Sequence, residues 1–398
     1  MGALFLLAAA ICVRIIYGYS AFLSDFGLDY GAALALRRGI SLYSSTTGEL
    51  FKAATGIEGS LYFHPPFAAL WAWPFSFLSY KTAFVLVGFG SLLLLSLSAR
   101  MLGEGLLWPR SWPLILLAGL YWFPVWACLA TGQVSMLVAF LIIAAWLLRK
   151  KGYPFLAGGA LGLAALLKLY PGLFLLFFIV RREKRALAGM LACGISGLLL
   201  TFWAVGWDDL VYYAVVQMPL DGRIYAAHPL NLAPFAVLSK LFGLSDQWVA
   251  SAIPAPELQL YAGLAFSVII LAGTVWVWLQ RRDQAEWDDL AFGLSCTAML
   301  LISPIVWQHY LVVMLLPVLL LLRACRHTPV QRNLLLLALM LLSLPDALLL
   351  AEFEDVLGQP LPFYYAILFN LATAALLGIY LSLWLLLRRQ AQVSAVSA

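Results

Sequence analysis

The stretch RKKGYPFLAGGALGLAALLKLYPGLFLLFFIVRREKR, Arg149–Arg185, carries a basic cluster at each end and a single charge, Lys168, between them. A bilayer core of about 30 Å is spanned by roughly 20 apolar residues rising about 1.5 Å each, so the interior of this stretch belongs in lipid. Basic side chains favour the cytoplasmic side of a membrane, and here they flank both ends. The chain must therefore turn back. Pro171 and Gly172 supply the break, since proline has no amide donor and collides with the preceding turn. The reading is a hairpin of two short helices over 154–167 and 171–180.

The rest of the chain extends the pattern. Of 398 residues, 64% are hydrophobic and 11% charged, against about 45–50% and about 25% in a soluble domain. Water is not the main solvent. Further apolar runs lie at 3–20, 81–99, 112–129, 134–148, 186–205, 258–279, 289–303, 310–322, 333–350 and 364–387. The expected fold class is all-α, a polytopic integral membrane protein with about 12 transmembrane helices (11–13), forming one unit over 1–398. Residues 1–11 lack a basic start and a small-residue cleavage site, so the first run reads as a retained span.

The basic residues orient it. Arg100, Arg110, the seven of the hairpin ends, Arg281, Arg282, Arg323, Arg326, Arg332, Arg388 and Arg389 fall on one side, while Arg37, Arg38, Lys52, Lys81, Arg223 and Lys240 fall on the other. Both termini are then expected in the cytoplasm of a multi-pass cell-membrane protein. Two long segments emerge opposite: 21–80, with polar helical stretches near 32–38 and 47–54 and an interfacial helix over 65–78, and 206–257. Long ordered loops commonly carry function, so the chemistry is expected outside. The formal charge of +5 reflects membrane anchoring and gives no nucleic-acid face. Cys12, Cys128, Cys193, Cys296 and Cys325 have neither zinc-site nor disulfide spacing and suit helix packing. GxxxxGK[ST], HExxH, GxSxG and GxGxxG after a strand are all missing, so no cofactor is expected. Gly158 and Gly162 make a GxxxG pair suited to close helix packing.

What remains are ionisable residues near span ends, where buried charge is costly. Asp25 and Asp29 would share one helix face. Asp25 could take a proton from a hydroxyl, or Ser24 or Asp25 could simply cap a helix. Lys168 at a broken helix makes a natural phosphate ligand, although a lysine can also snorkel. His309 stands among Trp307, Gln308 and Tyr310, which suit either a site or an interface belt. Gln133 and Asn231 could bind sugar hydroxyls or cap helices. Asp346, an acid in an apolar run, has no assigned role. No metal is expected, because the acids are dispersed.

In chain order, Asp25-Phe26, Tyr30, Ala33, Gly39, Leu42-Tyr43, Pro65-Pro66 to Pro74, Gly132-Gln133-Val134, Ala157-Gly158, Lys168, Pro171, Asn231, Ser303-Pro304, Trp307 and His309 resemble glycosyltransferase family 87. These are membrane enzymes of the GT-C type that draw mannose from a polyprenyl-phosphate donor. The sequence departs at His64, where the family usually has tyrosine, at Ser135, usually asparagine, and at Tyr310, usually a second histidine. The resemblance implies a hexosyltransferase with Asp25 as catalytic base and Lys168 and His309 at the donor phosphate or sugar, helped by Arg37, Arg38 or Arg223. Asp29, His64, Gln133, Asn231, Trp307 and Tyr310 would be sugar or acceptor contacts. The partners would be a polyprenyl-phosphate sugar, a glycan or glycolipid acceptor and the bilayer. Competing readings are a transporter or flippase of lipid-linked sugars, which usually shows internal repeats that are not evident here, and a non-catalytic scaffold subunit.

Overall fold

A computed structural model of the chain describes residues 2–396 apart from 23, 107, 227, 229, 239–255, 281–283, 326–327 and 345–362. Among the described residues the only regular secondary structure is helical, and a helix lies on each of the twelve apolar runs. Among the described residues five helices are by themselves long and apolar enough to cross a membrane: Gly2–Tyr19, Tyr80–Gly105, Lys184–Tyr225, Leu260–Leu279 and Asn370–Gln390. The run read as one span over 112–129 is instead a pair bent by 63°. Pro124 explains the bend, since Trp122 is extended and the second helix starts anew after it. Pro154–Leu167, Tyr170–Arg181, Gln308–Ala324 and Pro329–Leu342 are shorter apolar helices, so a count of twelve crossings does not follow. Asp346, Lys240, Arg281, Arg282 and Arg326 lie outside the described residues.

The chain packs as two compact units. The first comprises Met1–Gly172 and Lys184–Pro219. Its helices are α1 (Gly2–Tyr19), α2 (Asp25–Arg37), α3 (Thr46–Thr55), α4 (Pro66–Ala72), α5 (Tyr80–Gly105), α6 (Trp112–Tyr121), α7 (Phe123–Thr131), α8 (Ser135–Lys150), α9 (Pro154–Leu167) and α11 (Lys184–Tyr212). The stretches read as helix-capable at 32–38 and 47–54 fall in α2 and on α3, and the interfacial helix is α4 followed by a 3-10 turn over Trp73–Phe77. The core around α2 is aromatic: Phe26, Tyr30, Phe51, Tyr80 and Phe84 are buried together. α9 lies against α11, where Gly158 meets the carbonyl of Ala186 and Gly189 that of Phe155. The GxxxG reading as a packing device thus matches the observed contact.

The first unit departs from regular helix at two places. α9 ends at Leu167, and Lys168 is extended at φ −144° and ψ 131° before a 3-10 turn over Tyr170–Gly172. α11 is kinked at Gly206, whose φ of 83° is open to glycine and unfavourable for other residues, and it runs into a π-helix over Tyr213–Gln217.

The second unit comprises Leu173–Glu183 and Leu220–Ala398. It contains α10 (Leu173–Arg181), α12 (Met218–Ala226), α13 (Pro256–Leu279), α14 (Ala285–Leu301), a 3-10 helix over Gln308–Met314, α15 (Leu315–Ala324), α16 (Pro329–Leu342) and α17 (Phe363–Val396). α10 packs on α13 and α14 through Phe174 and Phe177, which meet Phe292 and Trp278. The Arg181 side chain donates to the Asp288 carboxylate at 2.8 Å and lies over the Trp287 ring at 5.0 Å.

Candidate active site

In the first unit the candidate residues begin at the start of α2. Ser24 is the cap residue: its hydroxyl accepts from the Gly27 amide at 3.4 Å. Tyr80 donates to the Phe22 carbonyl at 2.9 Å, which leaves its oxygen to accept from Ser24 at 3.0 Å. Capping therefore falls to Ser24, and Asp25, half-buried at the first helical position, keeps its carboxylate beside the helix N-terminus. That end of a helix favours negative charge. Phe26 fixes the orientation, with its ring between Trp71, Phe75, Tyr80 and Phe84.

Lys168 is buried at 6% exposure, on the extended residue where α9 stops. The charges of Asp25 and Lys168 both act on the Cys128 side chain in α7. The left-handed Gly132 that follows α7 sits so close to α2 that a β-carbon there would lie 2.7 Å from that of Phe26. Gln133, 3% exposed, donates its backbone amide to the Cys128 carbonyl at 3.1 Å, and its side-chain oxygen accepts no hydrogen bond among the described residues. The end of α7 and the Gly132-Gln133 turn thereby lie against the start of α2, next to Asp25. A carboxylate at a helix N-terminus can take a proton, and a buried ammonium at a broken helix can hold an anion.

One turn further along α2, Asp29 is 2% exposed and pairs with His64, Oδ1 to Nδ1 at 2.8 Å. The Tyr43 hydroxyl donates to the His64 carbonyl at 2.9 Å. Burial, with the Asp29 carboxylate adding to it, pushes the Tyr62 phenol well above its ordinary range. Arg37 donates to the Ser76 carbonyl at 2.6 Å and lies 4.1 Å from the Phe77 ring centroid, which fastens α2 to the 3-10 turn. Arg38 is exposed at the end of α2.

The second unit holds the remaining candidates. Asn231 is fully buried. Its amide donates to the carbonyls of Tyr225 and Pro304 at 3.0 and 2.9 Å, and its oxygen accepts from the amides of Ala233 and Val306 at 2.9 Å each. All of this hydrogen bonding goes to backbone, so Asn231 ties 225–233 to 304–306. Trp307 packs edge-on to His228 and Tyr225, centroids 5.0 and 5.6 Å apart. His309 is buried in the 3-10 helix with Tyr310 beside it at 4.9 Å, while Arg223 is exposed on α12. Among the described residues no group of three or more His, Cys, Asp or Glu side chains is placed to hold a metal ion.

Glycosyltransferase family 87 matches residues 62–304, more than half of the chain. The chain belongs to that family. It is thus a glycosyltransferase, and its apolar helices make it a membrane one. Among curated proteins it is similar to the polyprenol-phosphate-mannose-dependent alpha-(1-2)-phosphatidylinositol mannoside mannosyltransferase of Mycobacterium tuberculosis, 29% identical over 75% of this chain and 70% of that protein. It is likewise similar to the protein of that name from Mycolicibacterium smegmatis, 29% identical over 67% of this chain and 63% of the relative. Lys168, Gln133, His64, Arg223 and Asn231 fall inside the family match, whereas Asp25 lies well before its start at residue 62 and His309 shortly after its end at residue 304.

For this family 87 chain, sequence reasoning passed over Asp209. It is 6% exposed on α11, and its carboxylate accepts from the Ser41 hydroxyl at 2.5 Å and the Leu42 amide at 2.8 Å. That pair of bonds fixes the loop after α2. The available signal was an acid beside Leu210 and Val211, just past the kinking Gly206.

Proposed function

We propose that the chain transfers a hexose, mannose, from a polyprenyl-phosphate donor to a hydroxyl of a glycan or glycolipid acceptor, at the extracytoplasmic face and with inversion. The single observation that carries this is the match to glycosyltransferase family 87 over more than half of the chain; Asp25 at the start of α2 and the buried Lys168 where α9 stops are the base and phosphate ligand that this reading assigns. The relatives' names, which specify a polyprenol-phosphate-mannose donor and a phosphatidylinositol mannoside acceptor, support the choice of sugar and acceptor class.

In this reading Asp25 accepts the proton of the acceptor hydroxyl as that oxygen attacks the anomeric carbon. The bond from that carbon to the phosphate oxygen breaks on the opposite side, and the polyprenyl phosphate leaves with the electron pair. Lys168 stabilises the charge gathering on that phosphate, so no acid is required for a leaving group that is already an anion. His309, Trp307, Tyr310 and Arg223 are assigned to the donor, or to sugar contact, on the strength of the sequence resemblance. Asn231 and Arg37 act in this proposal by holding backbone in place, as their bonding indicates. Family membership gives no support to the transporter reading.

The test supplies purified protein with a polyprenyl-phosphate mannose and phosphatidylinositol mannoside acceptors. Asp25→Asn should cut turnover by at least about 100-fold, the scale of losing a general base, while inserting and melting like wild type. Lys168→Met should raise the donor KM. Full turnover in Asp25→Asn would remove the proposed base.

A further inference from the structure

Three tyrosines of the first unit meet on a surface that the transfer step does not use. The Tyr43 ring lies 5.3 Å from that of Tyr212 at 32° and 6.1 Å from that of Tyr213 at 22°. Neighbouring residues of an α-helix project about 100° apart, so two consecutive side chains do not ordinarily meet one ring. They meet here because the backbone leaves the α form at that point. The helix is kinked at Gly206 and widens into a π-turn over Tyr213–Gln217, a rare geometry concentrated at functional positions.

The platform is braced from behind. Tyr62, 1% exposed, packs on Tyr43 at 5.5 Å. The Tyr43 hydroxyl is held by the His64 carbonyl, and Asp209 pins the adjoining Leu42. Tyr212 nevertheless remains 39% exposed, with Tyr43 and Tyr213 partly exposed. The aromatic faces are thus fixed and still reachable. They also stand close to the proposed base: Tyr43 bonds His64, His64 bonds Asp29, and Asp29 is one helical turn, about 6 Å, from Asp25.

We infer that Tyr43, Tyr212 and Tyr213 form a carbohydrate platform for the acceptor, which must then carry at least two sugar units. The terminal sugar presents its hydroxyl to Asp25 while the preceding sugar lays its C–H face on the tyrosines. Tyrosine suits this, offering an apolar ring to that face and a hydroxyl to the sugar's rim. The inference rests on the proposed transfer in taking the acceptor to be a glycan.

The test measures saturation-transfer NMR binding of methyl mannoside and a methyl dimannoside to the full chain in lipid nanodiscs, alongside acceptor and donor KM. The wild type should bind the dimannoside better than the monosaccharide. Tyr212→Ala and Tyr213→Ala should weaken that binding about tenfold and raise the acceptor KM to match, with donor KM unchanged. Tyr212→Phe, which keeps the ring, should stay near wild type. Equal binding of the two sugars by wild type, or unaltered binding and acceptor KM in the alanine variants, would overturn the platform and leave these tyrosines as bilayer-interface anchors. Sugar binding lost in the variants, with no transfer by wild type from any polyprenyl-phosphate mannose, would instead keep the platform and sink the transfer.

Discussion

At Tyr62, burial and the Asp29 carboxylate both oppose formation of the phenolate. A phenol whose folded pKa lies above its unfolded value of 10.0 adds stability that is fully present below that value and is lost as pH rises past it. Thermal unfolding between about pH 9 and 11.5 should therefore show a falling alkaline arm in wild type that is shallower in Tyr62→Phe, where nothing is left to ionise; superimposable arms would refute the assignment. Charges in apolar surroundings were the residues most legible in the sequence. Asp25 and Lys168 stand out because lipid makes an unexplained charge expensive, and Lys168 is indeed buried, at the residue where α9 breaks. Asn231 was visible as a polar residue, yet its four bonds to backbone were not, since an amide between His228 and Val306 carries no periodic signal. The Asp29–His64 pair was equally hidden: the partners are 35 positions apart and belong to different elements.

At the scale of elements, glycine decides how closely helices approach. Gly158 and Gly189 face backbone across the α9–α11 contact, with no room for a β-carbon, whereas Gly90 in α5 has nothing within 4 Å. Gly158→Val should cost about 3 kcal/mol or more, because the atoms in the way are main chain and cannot rotate aside. Gly90→Ala should stabilise by up to about 1 kcal/mol, the helix-propensity difference. Melting of both variants in the same lipid decides the matter, and equal effects would mean that the contact does not govern the pair. Helix positions were largely readable, since apolar runs bounded by proline and charge leave few alternatives. Breaks were less so. The Lys168–Gly172 interruption is announced by Pro171 beside a charge, but Pro124 lies inside a run, 112–129, that is apolar enough throughout to read as one span, and the π-turn after Tyr212 has no sequence rule behind it.

For the whole molecule, the division into two units is set by where α10 goes. Residues 173–183 join the second unit although the stretches on either side of them belong to the first. Arg181 secures the placement: its side chain is 10% exposed and pairs with Asp288 on α14. Removing one partner of a pair this sheltered weakens the hold of the other, so Arg181→Met should destabilise by about 1–3 kcal/mol, and the double variant with Asp288→Leu should recover part of the loss. Calorimetry on the four proteins reads this directly; additive losses would show that the pair is not coupled. In the sequence Arg181 was one of four basic residues closing the hairpin, and nothing marked it as the one turned inward, because its partner lies 107 positions away.

That distance has a consequence for biosynthesis. At roughly 5–20 residues per second, the ribosome needs about 5–20 s after making Arg181 to deliver Asp288. During that wait Arg181 has only the neighbouring Glu183, 3.7 Å away in the finished fold, as a counterion, and the aromatic side chains of α10 lack their final neighbours. Insertion of this enzyme is therefore a staged event, in which an early helix is parked and then claimed by later ones.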